Sequence, residues 1–177
     1  MRLWTFQVPE ALVTLNREGI LYGPPEQAEY PEAYKWMKEQ MGSRLPSFSG
    51  LNPVWAWVVK PDLRRDRWLW EGIWHCIEFE APEGSFLVSE YDAWHNVLNG
   101  FAYHTEAEFE SWDARWKSPA YREECLRTWP RVFDLDFWKQ DPEWFGEDPV
   151  LQATVDGLRL EWVTGIRSFV GPKKGRS

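Results

Sequence analysis

Nine residues of this 177-residue chain have side chains that together could form a ligand-binding pocket with aromatic walls. Indole rings offer flat apolar surfaces, while hydroxyl, amide and imidazole groups orient a bound molecule through hydrogen bonds. A planar nucleobase or a nicotinamide would suit such walls, and any reaction there would be group transfer from a nucleotide. The candidate ligand-binding residues are Trp4, Thr5, Gln7, Trp55, Trp57, His75, His95, Asn99 and Gln152, with Trp94 as a further wall.

Several of these side chains also have a purely structural interpretation. Thr5 and Gln7 alternate with apolar residues on an N-terminal strand, which is typical of a half-buried sheet. His95 and Asn99 lie four residues apart and share one face of a short helix, a face that solvent alone could cover. Ordinary polar exposure would explain Gln152. The sequence leaves these alternatives open.

A metal site is another use of the histidines. His75 and Glu78, with His95 or His104, have the imidazole and carboxylate groups that bind zinc or iron. Positions 75 and 78 of one strand, however, point to opposite faces of the sheet. We therefore predict no metal site, and the sequence indicates no particular cofactor.

The charge of the chain bears on its partners. Its formal net charge is −8, from 20 basic and 28 acidic residues, which argues against nucleic acid because nucleic-acid binding depends on neutralising phosphates. One basic cluster, Arg64 to Arg67, precedes Trp68 and Trp70, and such groups can hold a phosphate and a base. The acidic neighbours of this cluster favour a solvated loop instead.

The location is predicted from what the sequence lacks. Cys76 and Cys125 are isolated thiols without a CxxC spacing, which suits a reducing compartment. The N-terminal residues do not form the apolar run of a signal peptide, and no apolar stretch reaches the roughly 18 residues of a membrane span. We expect a cytoplasmic protein without a membrane partner.

The elements read from the sequence are strands at both ends with helices clustered between them. Apolar periodicity, prolines, glycines and capping residues indicate where each element begins and ends. The predicted strands are Leu3–Gln7, Pro53–Lys60 (central, with two apolar faces), Ile73–Glu80 and Phe86–Val88. Four predicted helices have both ends marked: Pro9 to Gly19, Pro31 to Gly42, Ser89 to Asn99 and Ser118 to Thr128. A further helix begins at a capping box of Thr105 and Glu108 and has Phe109, Trp112 and Trp116 on its inner face.

The C-terminal part predicts a β-hairpin. Asp156-Gly157 separates two strand patterns, Val150–Val155 and Leu158–Phe169, and this dipeptide is typical of a tight hairpin turn. The order of elements favours an α+β fold over a regular βαβ series. We expect a single domain over residues 1–170, with a mostly antiparallel mixed sheet, clustered helices and this hairpin, followed by a flexible tail over 171–177.

Several segments resemble the DUF3841 family, a set of bacterial proteins of unknown function. The resemblance spans nearly the whole chain but implies no activity. The segments that carry it are Leu3–Gln7, Gly19–Gly23, Tyr34–Met37, Pro53–Trp57, Cys76–Phe79, Trp94–Asn99, Val132–Asp134 and Leu151–Ala153.

A weaker likeness, at the level of the fold, is to ADP-ribosyltransferase-like domains. Those domains also begin with a strand, a helix and a glycine-terminated turn, and they end on a hairpin. Their catalytic glutamate stands on a late strand, where this chain has Gln152, with Glu161 displaced. This departure argues against transferase activity.

Two functional hypotheses follow. The first is a domain that binds a nucleotide or nicotinamide-type small molecule in the aromatic pocket. The alternative is a non-catalytic protein-interaction module, in which the aromatic and acidic segment Trp129–Phe145 meets a protein partner through the ring side chains that are common at interfaces.

Overall fold

The computed structural model describes residues 1–24, 30–63, 71–112, 116–146 and 149–171. Helices accompany a mostly antiparallel sheet, which confirms the predicted α+β class. The described strands are β1 (Arg2–Gln7), β2 (Ile20–Leu21), β3 (Val54–Trp57), β4 (Ile73–Glu80), β5 (Phe86–Glu90), β6 (Leu151–Val155), β7 (Leu158–Arg159) and β8 (Val163–Val170). The described α-helices are α1 (Pro9–Glu18), α2 (Pro31–Arg44), α3 (Tyr91–Leu98), α4 (Glu106–Ser111), α5 (Pro119–Thr128) and α6 (Pro142–Phe145), and short 3₁₀ turns cover Trp129–Phe133, Phe137–Gln140 and Leu160–Trp162.

The chain forms two compact units. The first unit comprises residues 1–26, 38–87 and 153–177, and the second comprises residues 27–37 and 88–152. The predicted single-domain boundary at residue 170 and the flexible tail stay predictions, and residues 172–177 lie outside the described part of the chain. In the described part, no helix is both long enough and apolar enough to cross a membrane.

The main sheet has six strands in the order β5-β6-β3-β1-β4-β8. The strand β3 lies between β6 and β1, as its two apolar faces predicted, but it ends at Trp57 and not at Lys60. Antiparallel pairing of β1 with β4 places Thr5 opposite Ile77 and Gln7 opposite His75. Because side chains alternate along a strand, Leu3 and Thr5 are both buried on one face of β1.

The C-terminal strands are arranged by a turn that requires glycine. Gly157 has φ +77°, a conformation that costs other residues free energy, and the chain then enters β7, which pairs with β2. A 3₁₀ turn at Leu160–Trp162 divides the single strand predicted over Leu158–Phe169, and β8 then pairs antiparallel with β4. The predicted C-terminal hairpin is present, in the region of β7 and β8.

Local capping chemistry explains several helix ends. Pro9 begins α1 and Gly19 ends it in the left-handed conformation. Thr105 and Glu108 form the predicted capping box of α4. The Ser118 hydroxyl accepts a hydrogen bond from the Tyr121 N–H at 3.1 Å, so α5 also begins where the sequence predicted.

Each unit has its own apolar core. The core of the first unit is a cluster contributed by strands and by α1: Leu3, Leu15, Leu21, Val54, Ala56, Ile77, Phe79, Ala81, Ala153, Val155 and Leu158. In the second unit, Trp36 packs against Trp129 and Phe133, with ring centroids 5.5 and 5.9 Å away, and Tyr34 packs against Trp94 at 5.7 Å. Ring packing therefore accounts for part of the high tryptophan content.

Candidate functional site

A large cavity with aromatic walls lies in the second unit. Its volume is about 810 Å³, within the range of small-molecule sites. The rings that line it are Phe101, Tyr103, Phe109, Trp112, Trp116, Tyr121, Trp138, Trp144 and Phe145. The polar side chains that line it are Glu90, Asp92, Asn96, His104 and Glu110.

The wall rings support one another through edge and tilted contacts. Phe101 lies 4.8 Å from Trp116, which lies 5.0 Å from Tyr121. On another part of the wall, Phe109 and Trp144 are 5.7 Å apart. Such contacts stabilise ring orientations, so the cavity presents flat surfaces of defined direction.

The irregular segment 99–105 forms part of the wall, and side chains from α5 and the following turn bind its backbone. The Tyr103 N–H donates to the buried Thr128 hydroxyl at 3.0 Å, and Arg131 donates to the Tyr103 carbonyl at 2.9 Å. The Trp129 indole donates to the Phe101 carbonyl at 2.7 Å. These bonds satisfy backbone groups outside regular secondary structure, which fixes the segment against the cavity.

Glu90 is the buried carboxylate of the wall. Its side chain is the N-cap of α3 and accepts hydrogen bonds from the N–H groups of Asp92, at 3.0 Å, and Ala93. The sequence predicted Ser89 as this cap, but β5 continues through Glu90 and the helix begins one residue later. Burial raises the pKa of Glu90 above its ordinary value, and the charge of Asp92 adds to this effect.

The Tyr103 phenol is a neutral group in this cavity. Burial strongly raises the pKa of Tyr103, and the negative charges of Glu90 and Asp92 raise it further. The phenol can therefore donate a hydrogen bond at physiological pH.

His104 lies on the wall and is hydrogen-bonded to a buried carboxylate. Its Nε2 is 2.6 Å from Glu124 Oε1, and both side chains are almost fully buried. Arg127 donates two hydrogen bonds to the Glu124 carboxylate, one of them at 2.7 Å. These bonds, with that of His104, lower the pKa of Glu124 to about 2.

A second arginine holds the capping glutamate of α4. Arg131 donates to both oxygens of Glu108, at 2.6 and 2.7 Å. This bidentate pair lowers the pKa of Glu108 to about 2. Arg131 thus joins the start of α4 to the Tyr103 carbonyl, so one side chain positions two parts of the wall.

Trp112 brings a polar atom without a partner to the wall. Its indole Nε1 is buried, and no described residue accepts a hydrogen bond from it. The sequence placed Phe109, Trp112 and Trp116 on the inner face of one helix, but α4 ends at Ser111, and Phe109 and Trp116 are exposed. A ligand oxygen or ring nitrogen could accept from Trp112.

Six of the nine residues predicted from the sequence lie on β1, β3 and β4 of the first unit. The Trp4 indole donates to Glu78 at 3.0 Å, and Trp4 stands opposite Trp57 in the sheet. Trp4 also lines a smaller cavity of about 440 Å³.

The polar members of this group bond to nearby groups of the same sheet. Thr5 donates to the Trp55 carbonyl at 2.8 Å and accepts from Gln7 at 2.9 Å. His75 Nδ1 is 2.9 Å from the Ser168 hydroxyl.

The other three predicted residues lie in the second unit. His95 Nδ1 is 2.9 Å from the Tyr91 carbonyl, and Asn99 donates to the His95 carbonyl at 2.7 Å. Gln152 is 3.4 Å from the Ser89 hydroxyl. Asn99 borders a cavity of about 450 Å³, but none of the nine is among the described residues that line the large cavity. Their ligand-binding role stays a prediction.

Two further hypotheses from the sequence concern metals and the basic cluster. In the described part of the chain, no three histidine, cysteine, aspartate or glutamate side chains come close enough to hold a metal ion. The cluster Arg64 to Arg67, with Trp68 and Trp70, lies outside the described residues.

The aromatic cavity was missed because its rings come from separated segments. The one available signal was the density of rings between Phe101 and Phe145, and part of this segment, Trp129–Phe145, was instead predicted as a protein interface. Nothing in the local pattern indicated that Phe109 would contact Trp144.

Comparison with known proteins gives a family without an assigned activity. No curated protein and no solved structure matches the sequence, so the likeness to ADP-ribosyltransferase-like domains has no support. The model of the DUF3841 family, described as a domain of unknown function, matches residues 2–164. The chain therefore belongs to the DUF3841 family.

Proposed function

We propose that this chain is a small-molecule-binding protein, and that the aromatic cavity of its second unit takes a ligand with a flat heterocycle of the nucleobase or nicotinamide type. The observation that carries the proposal is the size and lining of the cavity, about 810 Å³ with nine aromatic rings. Stacking of a flat ring on an aromatic side chain contributes about 1–3 kcal/mol in single-stranded nucleic-acid sites.

Polar groups on the wall support an oriented complex. Flat heterocycles carry amide, amine and ring-nitrogen groups at their edges. The buried indole N–H of Trp112 and the neutral Tyr103 phenol can donate to such an edge, while Glu90 and Asn96 can accept from it. A ligand that satisfied Trp112 would remove the free-energy cost of a buried donor without a partner, about 1–3 kcal/mol.

The test is a titration of the full chain with nicotinamide, adenosine and NAD, followed by thermal denaturation and calorimetry. A ligand that binds only the folded state raises the melting temperature. Trp144→Leu removes a wall ring and should weaken binding at least tenfold. Trp4→Leu makes the same change at the sequence-predicted position in the first unit and should leave the affinity within about twofold.

The two variants separate the two locations. If Trp4→Leu abolished binding and Trp144→Leu did not, the ligand site would be the one predicted from the sequence, and the large cavity would not be it. If no compound bound, the proposal would fail. The exposed contact between Phe109 and Trp144 would then favour the protein-interaction alternative.

A further inference from the structure

The described residues of the cavity wall include carboxylates but no lysine or arginine. Among the described residues that line the cavity, the charged side chains are Glu90, Asp92 and Glu110, and no lysine or arginine lines it. His104 faces the buried Glu124 carboxylate. A phosphate group entering this cavity would meet carboxylates and would find no guanidinium or ammonium group among the described lining residues.

Glu90 differs in its partners from Glu108 and Glu124, two other hydrogen-bonded glutamates of this unit. Glu108 and Glu124 each accept two hydrogen bonds from an arginine, Arg131 and Arg127 respectively. Glu90 is only 7% exposed, yet its hydrogen bonds come from backbone N–H groups, and no described lysine or arginine forms an ion pair with it. A buried carboxylate without a counter-charge is costly, so a positive group beside it would be stabilising.

The tryptophan rings that line the same cavity favour the same sign of ligand. The face of an indole is electron-rich and attracts cations more strongly than the face of any other aromatic side chain. Trp112, Trp116, Trp138 and Trp144 all line the cavity that Glu90 borders. Aromatic faces of this kind are the usual chemistry of sites that bind quaternary ammonium ligands.

We infer that the ligand of this cavity is an organic cation with a flat ring, of the N-alkylpyridinium class, and that the Glu90 carboxylate is its counter-charge. This inference rests on the proposed function, because it assigns the charge of the ligand that the aromatic cavity takes. It excludes free nucleotides, whose phosphates are anionic, and retains the nicotinamide ring in its N-alkylated form.

The experiment compares two probes that differ in charge and share a ring. Nicotinamide is neutral, and 1-methylnicotinamide is the corresponding permanent cation. Calorimetric titration of the full chain at neutral pH should show the cation binding at least tenfold more tightly than the neutral ring. Adenosine monophosphate should not compete with the cation.

Two neutral replacements of Glu90 test its role. Glu90→Gln retains an oxygen that can accept from the helix N–H groups, and Glu90→Ser provides a good N-cap without charge. Either folded variant should bind the cation and the neutral ring within about twofold of each other. Glu123→Gln, at an exposed carboxylate of α5 outside the lining of the cavity, should keep at least a fivefold preference for the cation.

The outcomes separate this inference from the proposed function. Equal affinity of the two probes for the native chain would overturn the inference and leave the proposed function intact. A preference that survived in Glu90→Gln and Glu90→Ser would overturn the role of Glu90. Failure of both probes, of adenosine and of NAD to bind would overturn the proposed function itself.

Discussion

Replacement of Thr128 by valine should measure how strongly the cavity wall is held. The Thr128 hydroxyl is fully buried and accepts the Tyr103 N–H at 3.0 Å, while donating to carbonyls of Glu124 and Cys125 at 3.0 and 3.2 Å. Valine has nearly the same shape but cannot accept a hydrogen bond. The variant therefore leaves the Tyr103 N–H buried without a partner.

The expected cost follows from that one donor. A buried donor that loses its acceptor costs about 1–3 kcal/mol of the free energy of unfolding. For a chain of this length, each kcal/mol lowers the melting temperature by roughly 2–4 °C. Urea denaturation followed by circular dichroism gives the free energy, and amide hydrogen exchange reports on the Tyr103 N–H directly.

The control makes the same chemical change at the surface. Thr164 is exposed and its hydroxyl donates to the Glu78 carbonyl at 3.2 Å, so Thr164→Val should change stability by no more than about 0.5 kcal/mol. The reasoning is refuted if Thr128→Val costs no more than Thr164→Val. It is also refuted if the Tyr103 amide in the Thr128 variant exchanges as slowly as in the native chain.

Two further predictions concern stability. Because Glu108 and Glu124 have pKa values lowered to about 2 from an unfolded value near 4.5, their stabilising effect is complete above pH 4.5 and is lost as the pH falls towards 2. Glu90, whose pKa is raised, acts in the opposite direction. Because two lowered carboxyl groups oppose one raised group, we expect the urea midpoint to be lower at pH 3 than at pH 7. An equal or higher midpoint at pH 3 would contradict this prediction. Gly157→Ala should be more destabilising than Gly19→Ala. Both positions have positive φ, which costs alanine about 1–2 kcal/mol. A Cβ at position 157 would in addition lie 2.8 Å from a tyrosine ring atom, whereas a Cβ at position 19 would meet no atom within 4 Å. Equal melting temperatures of the two alanine variants would show that the ring moves aside freely.

Much of the secondary structure was predictable because its signals act over a few residues. The capping box of Thr105 and Glu108, the Ser118 cap and the Gly19 stop each depend on neighbours within one helical turn. The cap of α3 was wrong by one residue, since pairing in the sheet carried β5 through Glu90. Strand ends depend on partners far along the chain, which no local pattern shows.

The candidate site shows the same division. The abundance of rings was compatible with a ring-packed core as well as with an aromatic pocket, and the residues chosen from the sequence are not among the described residues that line the large cavity. The chosen residues on β1, such as Thr5 and Gln7, bond within their own sheet. Polarity on a strand indicates which side chains need hydrogen bonds, and it does not indicate whether a protein group or a ligand supplies them.

The sequence by itself determined the α+β class, the family and most helix limits, because periodicity, capping and turn chemistry are local properties of the chain. Tertiary structure alone decided which rings line a cavity and which carboxylates accept hydrogen bonds from an arginine. Glu108 and Glu124 bond to an arginine and Glu90 bonds to none in the described part of the chain, although all three are glutamates near helix ends or on helices. That difference depends on contacts between segments that folding brings together, and these contacts determine which carboxylates have a counter-charge.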